Sequence, residues 1–286
     1  MNLARRPGPA TRVRVREVTA DGGRDHEDRL ATEEPMEIRM GWPGRPTDRV
    51  AVTMRTPGHD FELAAGFLHA EGLLAAPDDL QTIAYCTDVT LRAEQEFNVV
   101  TVSLERPPPR PPTVRYAGPA GATSACGVCG TESIDDVLAM GEVTRSPVWE
   151  DLTVPASTIL ALPDRLREAQ RVFERTGGLH AAGLFRADGQ AVVVREDVGR
   201  HNAVDKVVGS RLLAGELPGL PLLCVSGRIG FEIVQKAIAA GVGVLAAVGA
   251  PTSLAVDLAT ATGLTTVGFV GRGRFVIYSG MSRIGV

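Results

Sequence analysis

Two cysteines three positions apart, Cys126 and Cys129 in Ser124-Ala125-Cys126-Gly127-Val128-Cys129-Gly130, form the sharpest chemical feature of the chain. Flanking glycines let both thiols lie on one side of a loop. Thr131-Glu132-Ser133-Ile134-Asp135-Asp136 follows with capping and acidic residues that predict a helix start, and a helix N-terminus stabilises a thiolate. The pair suits three chemistries: holding a metal, cycling as a dithiol and disulfide, or carrying a persulfide. His69-Ala70-Glu71 ahead of the pair imitates the H-x-E … P-C-x-x-C arrangement of zinc deaminases, where a histidine and two thiolates hold zinc and the glutamate moves protons. Alanine rather than proline precedes Cys126, and a proline-rich connector separates the two halves. A zinc deaminase is therefore the rival reading, and no resident metal is expected. Cys86 and Cys224 each stand alone in an apolar run and read as small core residues.

Four further segments bear on binding. Arg195 through Lys206 (REDVGRHNAVDK) joins a strand end to a helix start and leaves His201 near the first helical turn. Ser226-Gly227-Arg228-Ile229-Gly230 and Gly249-Ala250-Pro251-Thr252-Ser253 each follow an apolar strand and precede a helix. Free N–H groups and the helix dipole make such turns anion sites, which nominates Ser226, Arg228, Thr252 and Ser253 as phosphate contacts. Near the C-terminus, Phe269-Val270-Gly271-Arg272-Gly273-Arg274 places two arginines around glycines that permit close approach, a clamp for phosphate oxygens. Thr176-Gly177-Gly178-Leu179-His180 sets a histidine at a strand start; a structural role is expected there, with proton donation as the alternative. Gly241-Val242-Gly243-Val244-Leu245-Ala246 has the glycines of a dinucleotide fingerprint in helix-to-strand context, the reverse of what that motif needs.

The elements that must position these groups follow from periodicity. Residues 1–34 are expected as a flexible polar arm. Strands are expected over Met36–Trp42, Arg49–Thr56, Thr82–Cys86 and Asn98–Leu104, with a helix capped by Asp60 whose apolar face is Phe61, Ala64, Ala65 and Leu68. This smaller α+β lobe, residues 35–112, ends in the stiff connector Pro107–Pro112, and residues 113–150 hold the cysteine loop and a short helix. The remainder, 151–286, predicts a helix over Asp164–Arg175 ended by Gly177 and a hairpin of Leu179–Phe185 with Ala191–Arg195. Alternation follows: helices at Asn202–Leu213, Phe231–Ala239 and Leu254–Ala261, and strands at Leu222–Val225, Val242–Val248, Thr265–Val270 and Arg274–Tyr278. Such alternation implies a mixed, mainly parallel sheet with helices on both faces.

Composition sets the bounds. In 286 residues there are 30 Lys+Arg against 34 Asp+Glu, a net charge of −4, which excludes a generally basic nucleic-acid coat. Only Lys206 and Lys236 are lysines, so nearly every cation is an arginine. Hydrophobic residues at 44% with charged residues at 22% fit a packed globular chain rather than disorder. Four cysteines are too few for a disulfide scaffold, and no apolar h-region follows the basic start. Glycine and proline break up the uncharged stretch from Ala237 to Val256, so no membrane span is expected. A cytoplasmic protein with reduced thiols is the resulting expectation.

Taken together, these residues resemble the formate dehydrogenase accessory sulfurtransferases, the FdhD family, from about Arg49 to the C-terminus. The resemblance rests on Cys126–Gly130, Thr176–Ala182, Arg195–Lys206, Ser226–Arg228, Phe231–Ala237 and Ala250–Ala255 in one order; Gly230 stands where the family pattern has serine. It implies a cytidine-deaminase-like fold without the zinc chemistry. It further implies a sulfur carrier between a cysteine desulfurase and the molybdenum bis-molybdopterin guanine dinucleotide cofactor of formate dehydrogenase, most simply as a homodimer. Cys126 would carry the persulfide with Cys129 assisting. Phe269, Val270, Gly271, Arg272, Gly273 and Arg274 would hold the guanine-nucleotide cargo with Ser226, Arg228, Thr252, Ser253 and His201. A non-enzymatic cofactor chaperone remains the alternative.

Overall fold

The computed structural model describes residues 6–86, 96–110, 112, 149, 151–216 and 219–285. Cys126 and Cys129, and the helix expected after them, lie outside the described residues. In chain order the elements are strands β1 (Ala10–Thr19), β2 (Gly22–Ala31), β3 (Glu34–Trp42) and β4 (Arg45–Arg55), helix α1 (Asp60–Ala70), and strands β5 (Leu80–Tyr85) and β6 (Val99–Leu104). Beyond the cysteine segment come β7 (Val154–Pro155), α2 (Ala156–Glu168), α3 (Arg171–Thr176), β8 (His180–Phe185), β9 (Ala191–Asp197) and α4 (Arg200–Leu213). The chain finishes with β10 (Leu222–Val225), α5 (Phe231–Ala239), β11 (Val244–Ala247), α6 (Ser253–Thr262), β12 (Thr265–Gly271), β13 (Arg274–Ser279) and β14 (Ile284–Gly285).

Two sheets carry the fold. The first is four-stranded in the order β4-β3-β6-β5, the second six-stranded in the order β13-β12-β11-β10-β8-β9. In the larger sheet β10 pairs parallel with β11 and β11 with β12, while β12–β13, β10–β8 and β8–β9 are antiparallel. Three of its five pairings are therefore antiparallel, which corrects the expectation of a mainly parallel sheet. Two of the three are edge hairpins, whose short turns can join only antiparallel strands, and the third arises because β8, the inner strand of one hairpin, also pairs with β10.

Residue alternation divides the larger sheet's two faces. Leu223, Val225, Leu245 and Ala247 join one apolar cluster, and Leu222, Cys224, Val244 and Ala246 join another with Ile159, Leu162 and Leu166 of α2. The first cluster runs on through Val204 and Val208 of α4, Leu63 and Leu68 of α1, and Met36, Ile38 and Val100 of the smaller sheet. Residues 35–104 thus share their core with the larger sheet. α1 and α4 meet backbone to backbone. A Cβ on Gly66 would collide with the Asp205 carbonyl oxygen, and one on Gly209 with that of Glu62. Glycine is required at both points of the crossing.

Buried charges lock the same layer. Arg55, fully buried, donates to Asp60 at 3.1 and 3.3 Å, to Glu34 at 3.3 Å, to the Phe97 carbonyl at 3.0 Å and to Asn98 at 2.9 Å. Lys206 Nζ lies 2.7 Å from Asp197 Oδ2, and Lys236 Nζ lies 2.7 and 2.9 Å from the Asp205 oxygens. Arg195 donates to both oxygens of Glu62 at 2.5 and 2.7 Å, joining β9 to α1. Each charge has partners, as a low-dielectric interior demands.

Three expectations change. Residues 10–31 form a ten-pair hairpin instead of a flexible arm. Its alternating Val and Arg residues make the segment polar in composition while still periodic, and Arg16–Asp25 and Arg24–Glu17 pairs link its strands. Asp60 does not cap α1: His59 occupies the cap in the left-handed region (φ 59°), and Asp60 turns inward to neutralise Arg55. The helix expected over Asp164–Arg175 is two helices. α2 starts earlier and tolerates Pro163 within it, and Glu196 accepts the Val172 and Phe173 N–H groups at 2.9 and 2.6 Å to open α3. Gly177 ends α3 at φ 65°, as expected.

Two predictions follow from these contacts. Gly209→Ala should lower stability by about 2–3 kcal/mol through overpacking at the helix crossing, read as a shift in the urea midpoint. Burial raises the Glu62 carboxyl, but the hydrogen bonds and charges of Arg195 and His59 outweigh it and hold the pKa down at about 2. Because the folded value is depressed, this pair's stabilisation is complete above the ordinary 4.5 and is lost as pH falls toward 2. Urea titrations from neutral pH into acid should therefore show a shallower loss for Glu62→Gln than for the unaltered protein; parallel curves would contradict the ion pair's role.

Candidate functional site at the sheet's carboxyl edge

The carboxyl ends of β10, β11 and β12 lie side by side, and the turns leaving them are joined by backbone hydrogen bonds. Val248 N–H donates to the Val225 carbonyl at 3.3 Å, Gly249 to Gly227 at 3.2 Å, Ile229 to Ala250 at 3.0 Å and Thr252 to Ile229 at 3.0 Å. Phe269 N–H donates to the Gly249 carbonyl at 3.1 Å and carries the third turn into the set. Segments 226–230, 249–253 and 269–274, separate in sequence, thus form one edge. This is the end of an α/β sheet at which ligand crevices occur.

Three helices begin at this edge. The residues before α4, α5 and α6 are Gly199, Gly230 and Thr252, all extended, and no side chain caps any of the three helices. Their first N–H groups keep their hydrogen-bonding capacity. Arg228, Arg272 and Arg274 are exposed and have no carboxylate partner among the described residues. Phe269 and Arg272 adopt positive φ of 55° and 52°, with Gly271 and Gly273 beside them at 153° and 74°. A non-glycine residue held in the left-handed region is strained. Phe269 is 43% exposed, and on the adjoining segment Val248, just after β11, and Leu254, in the first turn of α6, are 45% and 46% exposed. An exposed aromatic ring and guanidinium groups without a carboxylate partner among the described residues therefore share the rim of this edge. That rim can stack an aromatic base and pair with phosphate oxygens.

Several nominated residues serve the frame as well. Ser226 Oγ accepts the Ala181 N–H at 2.9 Å and extends the β8–β10 ladder. Val270 is buried beneath the rim in the core of the α2 face. Thr252 and Ser253 are exposed at the start of α6. His201 Nε2 lies 3.0 Å from Glu232 Oε2, bridging the first turns of α4 and α5. The segment from Arg195 to Lys206 is mostly internal wiring: Asp197 accepts the N–H groups of Thr56 at 3.1 Å and Gly199 at 2.8 Å and the Asn202 amide at 3.1 Å, besides pairing with Lys206. Only Arg200 and His201 of that run reach the edge. Sequence reading placed Arg200 only within the Arg195–Lys206 run, without singling it out, and gave His180 a structural role with proton donation as the alternative. Their only signal was position, one at a helix start and one at a strand start on the same sheet end.

The deaminase-like imitation does not survive at its first half. Both His69 ring nitrogens lie against carbonyl oxygens, Nδ1 at Leu74 (2.8 Å) and Nε2 at Ala239 (3.0 Å), so neither nitrogen is presented to a metal. Among the described residues no group of three or more histidine, cysteine or carboxylate side chains is placed to hold a metal ion. Cys224 is buried in the β10 core, where desolvation pushes its thiol up to about 12. Cys86 is half-buried beside Arg39.

Comparison with known proteins closes the case for kinship. No helix among the described residues is long and apolar enough to cross a membrane. The chain is 51% identical over 260 residues to the sulfur carrier protein FdhD of Streptomyces coelicolor, covering 90% of this chain and 89% of that one. It is 48% identical over 276 residues to the protein of the same name from Mycobacterium tuberculosis, covering 95% and 97%. Its fold matches the crystal structure of a putative formate dehydrogenase accessory protein from Desulfotalea psychrophila, with a TM-score of 0.72, 22% identity and coverage of 96% and 99%. The FdhD/NarQ family profile matches residues 31–285, and the chain belongs to that family.

Proposed function

We propose that this protein is a cytoplasmic sulfur carrier that accepts sulfane sulfur from a cysteine desulfurase and delivers it to the molybdenum bis-molybdopterin guanine dinucleotide cofactor destined for formate dehydrogenase. The observation that carries the reading is Cys126-Gly127-Val128-Cys129 in a chain half identical to proteins named as sulfur carriers. In the first step the Cys126 thiolate attacks the outer sulfur of the desulfurase persulfide. A new S–S bond forms on Cys126, and the desulfurase cysteine leaves as a thiolate. In the second, the Cys129 thiolate attacks the Cys126 sulfur. The Cys126–Cys129 disulfide forms, two electrons pass to the outer sulfur, and it leaves as hydrosulfide at the cargo. A cellular dithiol reduces the disulfide before the next cycle.

The rim at the sheet's carboxyl edge supports the cargo half of the proposal. Arg228, Arg272 and Arg274 would pair with diphosphate oxygens while Phe269 supplies a face for the guanine. The cargo is a substrate, and no permanently bound metal is invoked. A homodimer would present two such rims, matching the two nucleotides of the cargo. A chaperone that only binds and hands over the cofactor would use the rim and leave the cysteines idle.

Incubation with a desulfurase and sulfur-labelled cysteine separates these roles. The unaltered protein should take up label and gain one sulfur in its intact mass, and Cys126→Ala should take up none. Label uptake by Cys126→Ala would remove Cys126 from the first step, and no uptake by the unaltered protein would leave the chaperone. Arg272→Ala combined with Arg274→Ala should weaken GDP binding about tenfold or more in calorimetry, with the melting temperature unchanged. Unchanged affinity would place the nucleotide elsewhere.

A further inference from the structure

His180, Arg200 and Gly227 meet at one point of the carboxyl edge that the nucleotide rim does not use. A Cβ added to Gly227 would stand 3.4 Å from His180 Nδ1 and 3.6 Å from Arg200 Cδ, so the missing side chain leaves a small hollow, of methyl size on the glycine side, beneath the imidazole and the guanidinium arm. Arg200 Nε is buried without a hydrogen-bond partner, an uncompensated donor that a folded protein rarely leaves idle. The His180 side chain makes no hydrogen bond among the described residues, although it is half-buried. Below the hollow, Ser226 is fixed by its exchange with Ala181, and the Gly227 carbonyl is occupied by the Gly249 N–H. The floor is therefore rigid and the donors above it are unspent.

We propose that His180 and Arg200 form a second anion subsite that receives the phosphoryl end of the nucleotide cargo. The inference rests on the reading of this edge as a guanine-nucleotide site. In the sheet order, β12 is three strands from β8, about 14 Å at the usual strand spacing. Phe269 and the Arg272–Arg274 turn thus lie at one end of the crevice, and this subsite lies at the other. An extended nucleotide would lay its base and inner phosphate on the first and its terminal phosphate in the second. Five charged or titratable groups bear on the hollow. Burial, then the charges of Arg200 and His201, push His180 below its ordinary value, and Asp197 opposes them. Glu232 stands across from His201 on α5, and that pairing holds its carboxyl low against the effect of burial. His180 is accordingly neutral near pH 7 and gains a second donor proton on acidification. An entering anion favours that protonated form, so the histidine's contribution to affinity grows as pH falls.

Three variants test the subsite: Arg200→Ala, His180→Asn and Gly227→Ala. The last fills the hollow at ordinary contact distance and should fold normally, checked by melting temperature. GDP, guanosine and inorganic pyrophosphate are titrated by calorimetry between pH 8 and 5.5. Arg200→Ala and Gly227→Ala should each lose about tenfold in GDP affinity while guanosine binding stays unchanged. Pyrophosphate should compete with GDP in the unaltered protein and fail to do so in Arg200→Ala. The GDP phosphate itself loses charge in acid in every variant, so the quantity to read is the difference between the unaltered protein and His180→Asn, which should widen as pH falls. GDP affinity shared by all three variants, with no pH-dependent gap, overturns the subsite while leaving the nucleotide rim intact. If the unaltered protein binds neither GDP nor guanosine, the reading of the whole edge fails, and the subsite with it.

Discussion

A carboxylate with no water around it organises this molecule. Asp197 sits at the end of β9 with no exposed surface and takes four donors: the Thr56 and Gly199 N–H groups, the Asn202 amide and the Lys206 ammonium. Removing any one would strand part of a charge that costs several kcal/mol to bury alone. The donors come from the chain after β4, from the β9–α4 turn and from α4 itself. Their convergence fixes where α4 begins and how it is turned. The register of α4 then sets its close crossing with α1 at Gly66 and Gly209, and points Arg200 and His201 at the sheet's edge.

The edge itself is built differently. Backbone hydrogen bonds between successive turns, rather than side-chain charges, hold 226–230, 249–252 and 269 together. Ionic frame and peptide-linked rim therefore divide the work: one spends its charges internally, and the other leaves guanidinium groups and helix N-termini unspent. The strained Phe269 belongs to the second group. Gly268 before it has close neighbours on its side-chain side: an added Cβ would stand 3.0 Å from Pro251 Cδ and from Tyr278 Cε2.

Much of this was legible in the chain because local patterns and tertiary packing agree. β10 and α5 fall at the residues where their apolar periods begin and end, Leu222–Val225 and Phe231–Ala239. Two of the converging turns were readable because each combined small residues with a strand end and a helix start, and the third because glycines flank its arginines between two strands. Long-range charge pairing was not readable. Asp60 has the residue type and place of a helix cap, and only the buried guanidinium of Arg55 draws it away. Glu196 looked like one more acid in a polar run, and its capping of α3 depends on a strand and a helix meeting in space. The sense of the larger sheet was missed because periodicity does not say which strand of an expected hairpin lies inward: β8, running against β10, sits between it and β9. Arg200 escaped notice for the same reason that makes it interesting: nothing in its sequence neighbourhood says its donor will be buried and idle.

The two lysines have a consequence of their own. Lys206 and Lys236 are both buried and both held by aspartates, and the chain has no others. No side-chain amine is therefore offered to solvent. Apart from histidines and the α-amino group, positive charge on the surface is carried by guanidinium groups, which do not acylate, form imines or accept isopeptide bonds under ordinary conditions. The protein's exterior is thus closed to the covalent decorations that need a lysine amine, and the reactions of its side chains with electrophiles fall to other groups.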